Sequence, residues 1–430
     1  MKGGFGKFIF IALIAFCVIG AASNFFGGSD SSGGYGYDFA DGGDWYDSDE
    51  SSGGSGFDES LGGSTGNQDG EIRYSLPKHR SMYNEISSGA KSIYAQLRDT
   101  VASGSLKTTF KGIKESEYDA FVKDLYAAYD AMYYDYPEFF WLNSGWQGNP
   151  EYSWSSGGYD MELEMYCYDY WTYTTNKSGY IDAVISEAER IANLAAAKEN
   201  DYEKIKFVHD YLVVNAEYDY VCLEEINKTV QRASSQQSHS VYGALVNKVC
   251  VCDGYAKTFQ LITYMLGINA PYVEGDAGGG HAWNYVVLDG NEYWMDVTWD
   301  ENELEGDNGK LLAPNGANYS YFCADDDKLY KTHKPDSTFK IPVCDSTKYN
   351  FFYYEDSFLD SYDYDEVVEA VEEQKGAQII HVKFKTESGL EQALDKLIYS
   401  GKYKNIPYFK NKDVQVYSSK NDNLLHFYLP

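Results

Sequence analysis

The dipeptide Asp289-Gly290 lies between two runs of strand-forming residues, and no other feature constrains the fold of this chain as strongly. An Asp-Gly pair favours a two-residue turn whose twist matches that of an antiparallel hairpin. The residues on both sides are mostly apolar, aromatic or β-branched, which is typical of strands. The sequence therefore predicts a hairpin with strands over 281–288 and 291–297.

The register of this hairpin brings a histidine and an aspartate to one face of the sheet. Across a two-residue turn Leu288 pairs with Asn291, so that Trp283 faces Asp296. Residues of equal parity share a face, which makes His281 and Asp296 diagonal neighbours. The carboxylate is then close enough to hold one nitrogen of the imidazole. An even change in loop length keeps this shared face, and an odd change breaks it.

A cysteine precedes the hairpin at the start of a predicted helix. Residues 254–266 place apolar side chains at helical spacing, and the pattern ends at Gly267. Cys252 therefore lies at or just before a helix N-terminus, where the macrodipole and free backbone N–H groups favour the thiolate. Cys252, His281 and Asp296 thus supply a nucleophile, its base and the group that orients the base. The backbone N–H of Cys252 is one candidate donor to an oxyanion.

Each of these three residues also has an ordinary explanation when it is taken alone. A cysteine is most often a small buried apolar residue, and a histidine in a strand is most often structural. An aspartate after a strand is often a turn or capping residue. The joint pattern of chain order, hairpin parity and a thiol at a helix start is much harder to obtain by accident.

Residues from about 201 to 333 resemble the bacterial transglutaminase-like superfamily, in its cytokinesis-linked and peptidase-like branch. The segments that carry the resemblance are 205–212, 241–247, 250–257, 280–284, 294–300, 321–322 and 331–333. The resemblance implies an α+β fold with a papain-like core, in which a helix that carries the cysteine packs on an antiparallel sheet. It places the catalytic triad of the family on Cys252, His281 and Asp296. Cys250 departs from the family pattern, which more often has glycine there, and leaves open a disulfide or a second reactive thiol.

The predicted reaction begins when Cys252 attacks an amide carbonyl of a protein or peptide substrate. The thioester then passes to an amine, which gives a cross-link, or to water, which gives deamidation or proteolysis. The sequence leaves both fates open, because the choice depends on acceptor access and on water exclusion. A lysine of a surface protein and a cell-wall peptide amine are both conceivable acceptors. We predict that Tyr255, Trp283 and Trp299 contact the substrate.

No cofactor and no metal are expected from the sequence. It has neither a phosphate-binding loop nor a dinucleotide fingerprint. The spacing of Cys250 and Cys252, without a second pair of thiols, argues against a zinc site. The alternative function is a non-catalytic binding module at the cell surface that keeps the fold. Its sign is a missing triad residue, and all three residues are present.

The N-terminal sequence predicts export of the chain. Lys2 and Lys7 precede an apolar run over 8–22, which fits a signal peptide or a membrane anchor with its N-terminus in the cytoplasm. The segment that follows is rich in Gly, Ser and Asp and predicts a flexible acidic tether. We therefore expect an extracellular or cell-surface location, with the chain either secreted or tethered to the membrane.

The chain divides by its pattern into five parts. They are a signal peptide or anchor over 1–26, the tether over 27–71, an accessory and mostly helical α+β domain over 72–197, the catalytic core over 198–347 and a small α+β module over 348–430. The formal net charge of −31 argues against nucleic acid and against anionic lipid as partners.

The seven cysteines leave disulfide pairing open. In an extracellular domain Cys222 with Cys250, and Cys323 with Cys344, are plausible pairs. With Cys252 as the free nucleophile and Cys17 in the apolar segment, an odd number of thiols remains, so that not all of them pair within the chain.

Overall fold

The computed structural model describes residues 71–225, 232–302 and 316–430 of the chain. The predicted export segment and the tether up to residue 70 lie outside the described residues. Helices and mainly antiparallel sheets follow one another in the described part, which confirms the predicted α+β class. None of its helices combines the length and the apolarity that a membrane crossing requires.

The first part of the described chain builds a three-stranded sheet with helices around it. Its elements are α1 (Ser88–Ala102), β1 (Lys107–Ile113), α2 (Tyr118–Asp135), β2 (Leu142–Ser153), β3 (Gly158–Cys167), α3 (Asp169–Tyr173) and α4 (Lys177–Ala196), with 3₁₀ turns at Met82–Asn84 and Glu115–Glu117. β3 lies between β1 and β2 and is antiparallel to both. The side chains of Ser87 and Asn176 cap α1 and α4 by accepting backbone N–H groups of the first turn.

The middle part contains a five-stranded antiparallel sheet with the strand order β11-β8-β7-β6-β12. Its elements are α5 (Asp201–Asn215), β4 (Glu217–Tyr218), α6 (Tyr220–Glu225), α7 (Ala233–Ser238), a π-helical turn (Gly243–Asn247), β5 (Val249–Cys250), α8 (Cys252–Met265), β6 (Tyr272–Asp276), β7 (Gly280–Leu288), β8 (Asn291–Met295), α9 (Val297–Asp300), β9 (Glu301–Asn302), β10 (Gly316–Ala317), β11 (Phe322–Ala324), α10 (Asp326–Leu329) and β12 (Lys334–Pro335).

The last part is a small sheet with the order β13-β14-β16-β15, in which only the pair of β13 and β14 is parallel. Its elements are α11 (Phe351–Tyr354), β13 (Phe358–Leu359), α12 (Tyr364–Glu373), β14 (Ile379–Phe384), α13 (Glu387–Ala393), a π-helical stretch (Leu394–Tyr399), 3₁₀ turns (Lys402–Asn405 and Pro407–Phe409), β15 (Gln415–Ser419) and β16 (Leu424–Tyr428). This part has its own apolar cluster. Most buried apolar residues of the two earlier parts join in one cluster, which Phe351, Phe352 and Leu424 of the last part also enter. A smaller cluster in the middle part surrounds Trp283 and Trp294.

The hairpin of β7 and β8 has the predicted turn and register. Leu288 pairs with Asn291, and the two turn residues between them take positive φ, 49° at Asp289 and 77° at Gly290. Two consecutive residues with positive φ give the turn that Asp-Gly favours in hairpins. The local sequence therefore determines this part of the sheet.

The second strand of the hairpin ends earlier than the sequence predicts. β8 stops at Met295, so the predicted pairing of Trp283 with Asp296 is wrong. The Asp296 side chain accepts the backbone N–H of Trp299 at 3.1 Å and caps the short helix α9. An aspartate in this role favours a helix start over a continuing strand.

An asparagine of β7 holds the helix α8 against this sheet. The Asn284 side chain is fully buried, and its Nδ2 donates to the backbone oxygens of Ala256, Ala270 and Pro271 at 3.1, 3.4 and 3.3 Å. The Ala256 contact lies in the second turn of α8, so one side chain fixes the position of the helix relative to β7. Gln260 of α8 donates to the backbone oxygen of a residue in α2 at 2.9 Å and joins the helix to the first part of the chain.

Disulfide pairing is left open by the sequence, and the six cysteines among the described residues are all free thiols. The sulfur of Cys222 contacts His239 at 3.4 Å, and Cys250 is fully buried in the core. Cys323 and Cys344 are also buried.

We expect Asn284→Ala to lower the free energy of unfolding by about 2–3 kcal/mol, because three buried carbonyls then lose a donor. Asn291→Ala is the matched control in the same hairpin, since its side chain makes one hydrogen bond of 3.4 Å at the turn. We expect the control to change stability by less than about 0.5 kcal/mol. Denaturant unfolding measures both values, and equal losses would contradict the role of Asn284.

Candidate active site

The thiol of Cys252 lies at the first residue of α8, as the sequence predicts. The preceding turn is held by the backbone N–H of Val251, which donates to the oxygen of Ser238 at 3.0 Å. The first-turn N–H groups of a helix have no partner within the helix and favour a negative charge beside them. Cys252 is half-buried, so this position combines a favourable field with access from the surface.

Cys250 and Cys252 differ strongly in their surroundings although one residue separates them. Cys250 is fully buried, and burial raises the pKa of its thiol well above the ordinary value. A Cβ at Gly254 would lie 2.6 Å from the Cβ of Cys250 and 2.7 Å from the oxygen of Ser238, so only glycine fits there. The close packing behind α8 therefore keeps Cys250 in the core and leaves Cys252 as the accessible thiol of the two.

The imidazole of His281 and the carboxylate of Asp296 meet as the hairpin parity predicts. Nε2 of His281 donates to Oδ2 of Asp296 at 2.7 Å, and the two side chains are 8% and 1% exposed. Because Nε2 is engaged by the carboxylate, Nδ1 is the ring nitrogen that remains for Cys252. The capping turn at Asp296 replaces the predicted strand pairing but keeps the carboxylate on the same side of the sheet as the histidine.

The charges of this group favour a protonated imidazole. Burial lowers the pKa of His281, but the charges of Asp296 and Cys252 and hydrogen bonds to both raise it to about 10. Burial raises the pKa of Asp296, and the charge of His281 outweighs this and holds it well below the ordinary value. The imidazole next to Cys252 therefore carries a proton that it can give to a leaving group.

A second histidine, His333, binds the same carboxylate oxygen. Its Nε2 donates to Oδ2 of Asp296 at 3.0 Å, while its Nδ1 lies 2.8 Å from the hydroxyl of Thr332. The hydroxyl of Tyr321 lies 2.8 Å from that of Thr332. With Nε2 as the donor, Nδ1 accepts from Thr332 and Thr332 accepts from Tyr321, which gives an unbroken line of hydrogen bonds to Asp296.

The sequence reasoning missed this role of His333. In the sequence, His333 belongs only to the segment 331–333 that resembles the family, and no role is predicted for it. His333 comes from the loop before β12, 37 residues after Asp296, and no local pattern links the two. Aromatic rings surround its imidazole within 5.0 Å of its centroid, namely those of Trp283, Trp299 and Tyr321.

The same three side chains also offer the donor set of a metal site. One ligand atom each of His281, Asp296 and His333 lies within 4.8 Å of the others. Both imidazoles are at hydrogen-bond distance from one carboxylate oxygen, and two N–H donors account for this geometry without an ion. A metal bound here would replace both hydrogen bonds.

The three residues predicted to contact a substrate lie close to this site but differ in exposure. Trp283 and Tyr255 are fully buried, and the hydroxyl of Tyr255 donates to the backbone oxygen of Ala216 at 3.0 Å. Trp299 is half-buried, with its ring centroid 5.9 Å from that of His281. Trp299 therefore offers surface to a ligand, and substrate contact stays a prediction for all three.

The ion pair of His281 and Asp296 makes stability depend on pH in a defined window. The folded pKa of about 10 lies above the ordinary imidazole value, so the pair stabilises the fold fully below about pH 6.5 and loses this contribution as the pH rises through 10. We expect the imidazole of His281 to titrate near pH 10 in NMR spectra. In Asp296→Asn its pKa should fall toward the ordinary range. A midpoint of about pH 7 for the His281 titration in the native protein would contradict the expectation.

We expect His333→Phe to slow the alkylation of Cys252 by iodoacetamide by about tenfold, because Asp296 loses a donor that fixes its position under His281. Phenylalanine keeps the ring contacts of the pocket and removes only the Nε2 donor. Tyr321→Phe is the control, since it removes a hydroxyl two hydrogen bonds away from Asp296. If both variants lower the alkylation rate equally, the slower rate reflects less ordered packing of the whole pocket and not the lost donor to Asp296.

The sequence model of the transglutaminase-like superfamily matches residues 188–298, a segment that contains Cys252, His281 and Asp296. The chain is also similar to the kyphoscoliosis peptidases of Mus musculus and Homo sapiens, with 23% identity over 162 residues in each case. This stretch covers 35% of the present chain and 23% of each peptidase, so the chain spans about a quarter of the length of these relatives.

Among solved structures, a crystal structure of a TGase is 14% identical, with a TM-score of 0.27, and the match covers 39% of the present chain and 47% of the other. The family match is independent of this structural likeness and includes α8 and the hairpin. It agrees with the resemblance found in the sequence motifs. The chain therefore carries a domain of the transglutaminase-like superfamily.

Proposed function

We propose that this chain is a thiol acyltransferase or hydrolase that acts on amides of proteins or peptides through Cys252, His281 and Asp296. The observation that carries the proposal is the 2.7 Å hydrogen bond between His281 and Asp296, formed beside a thiol at a helix start. The transglutaminase-like family supports a cysteine-dependent function of the transglutaminase or peptidase kind. The peptidase name of the mammalian relatives favours a protein or peptide substrate.

In the first step the thiolate of Cys252 attacks the amide carbonyl carbon. The C–S bond forms as the carbonyl oxygen takes up negative charge, and the backbone N–H of Cys252, at the first residue of α8, is the candidate donor to that charge. The imidazolium of His281 then gives its proton to the leaving nitrogen. The C–N bond breaks, and a thioester and a free amine or ammonia remain.

In the second step the neutral His281 removes a proton from water or from an amine as it attacks the thioester. Water returns the free thiol and a carboxylic acid, whereas an amine returns the free thiol and a new amide. Asp296 keeps its charge through both steps, because His281, His333 and the backbone N–H of Trp299 all donate to it. His333 acts here as a positioning residue, since it touches Asp296 and not the reacting atoms.

Cys252→Ala should reduce turnover of an amide substrate by at least about 10³-fold without unfolding the protein. Cys250→Ala is the matched control, and it should keep most of the activity because its thiol is buried behind α8. The assay uses a glutaminyl peptide with and without a primary amine and records ammonia, cleaved peptide and amine-bearing product separately. These products distinguish deamidation, proteolysis and transfer.

Comparison of the Cys252→Ala and Cys250→Ala variants also distinguishes an enzyme from the alternative, a non-catalytic binding module. Loss of activity in Cys250→Ala with retention in Cys252→Ala would move the nucleophile to Cys250. A native protein in which iodoacetamide does not label Cys252 faster than the buried thiols would favour the non-catalytic module.

We propose further that the chain works outside the cytoplasm, secreted or held at the cell surface. This rests on the sequence alone, with Lys2 and Lys7 before the apolar run over 8–22 and the acidic segment after it. N-terminal sequencing of the protein recovered from its host checks the proposal, because a start after about residue 22 indicates cleavage. A start at Met1 in a cytosolic fraction would contradict it.

A further inference from the structure

A second cysteine, histidine and aspartate contact one another next to the proposed catalytic group. The sulfur of Cys222 lies 3.4 Å from Nε2 of His239, and Nδ1 of His239 lies 3.0 Å from Oδ1 of Asp253. Lys257 donates to Oδ2 of the same carboxylate at 3.4 Å. The order of contacts is therefore thiol, imidazole and carboxylate. Asp253 directly follows Cys252 in the first turn of α8.

The charges of this group favour an imidazolium next to the sulfur. Burial lowers the pKa of His239, but the charge of Asp253 and hydrogen bonds to Asp253 and Cys222 raise it well above the ordinary value. Burial raises the pKa of Asp253, and the charges of His239 and Lys257 outweigh this and lower it. His239 therefore carries a proton that it can give to a leaving group formed at the sulfur.

The access to this sulfur limits the size of what reaches it. Cys222 is only 3% exposed, whereas the side chain of His239 is 26% exposed. His239 also lines a cleft that is open to solvent. Other residues of that cleft are Tyr133, Phe140, Tyr168, Ser240 and Lys257. Cys222 does not line this cleft itself, and a sulfur this deeply buried is out of reach of a peptide chain.

We propose that Cys222, His239 and Asp253 form a second reactive-thiol site, whose substrates are small peroxides. The thiolate sulfur of Cys222 attacks one peroxide oxygen, so that the S–O bond forms and the O–O bond breaks. The leaving hydroxide takes a proton from His239 and becomes water, and Cys222 becomes a sulfenic acid. The sulfur is oxidised by two electrons and the peroxide is reduced. Asp253 keeps the imidazole oriented and does not react.

The site is independent of the proposed acyl chemistry, and its test keeps the two apart. The full-length chain with Cys252→Ala is treated with hydrogen peroxide for set times, the peroxide is removed, and the protein is unfolded in dimedone so that buried sulfenic acids are trapped as well. The labelled cysteines are assigned by mass spectrometry. Cys167 is the internal control, because it is more exposed than Cys222 and its sulfur contacts the hydroxyl of Thr172 at 3.4 Å instead of an imidazole. Exposure alone would make Cys167 the faster of the two.

We expect Cys222 to be labelled at least about tenfold faster than Cys167, and His239→Asn to remove this difference. Asp253→Asn should also lower the rate of labelling at Cys222. This variant tests the proposal if His239→Asn does not fold. A bulky maleimide should label Cys222 slowly in the native protein, in keeping with its burial. The proposal is overturned if peroxide labels Cys222 no faster than Cys167, or if neither substitution changes the rate at Cys222.

Discussion

The buried carboxylate of Asp296 is the group on which the rest of the site depends. Its side chain is 1% exposed, and it accepts from His281, His333 and the backbone N–H of Trp299. A carboxylate removed from water is stable only when such donors replace its hydration. The three donors come from β7, from α9 and from the loop before β12. The carboxylate therefore fixes the relative positions of three segments as well as the orientation of one imidazole.

The position of the thiol depends on a second constraint, which is the packing of α8 on β7. Asn284 binds the second turn of the helix from the strand that also carries His281. Gly254 allows the first turn to approach Cys250 and Ser238 more closely than any residue with a Cβ would permit. The distance between nucleophile and base is thus set by buried backbone contacts. A thiol and an imidazole held by such contacts keep their relative positions better than the same side chains on flexible loops would.

The sequence predicts those parts of the site that local rules control. The Asp289-Gly290 turn gave the register of the hairpin, and the apolar spacing after Cys252 gave the helix, because neither depends on distant residues. The strand end was misplaced, since the capping preference of Asp296 competes with pairing and wins only in the folded context. The role of His333 and the contact of Cys222 with His239 rest on chain segments that meet through tertiary packing, which no sequence period records.

Several aspartates around the site have histidine partners. The chain has 66 acidic and 35 basic residues, so carboxylates outnumber the lysines and arginines. Three aspartates of α8, α9 and the turn between β8 and α9 have imidazole partners: half-buried Asp253 pairs with His239, and buried Asp296 and Asp300 pair with His281 and His333 and with His209. An imidazole satisfies a buried carboxylate and also exchanges protons near neutral pH, which a guanidinium does not. A histidine that pairs with one of these carboxylates therefore also serves as the base of a reactive cysteine when a thiol lies on the other side of its ring.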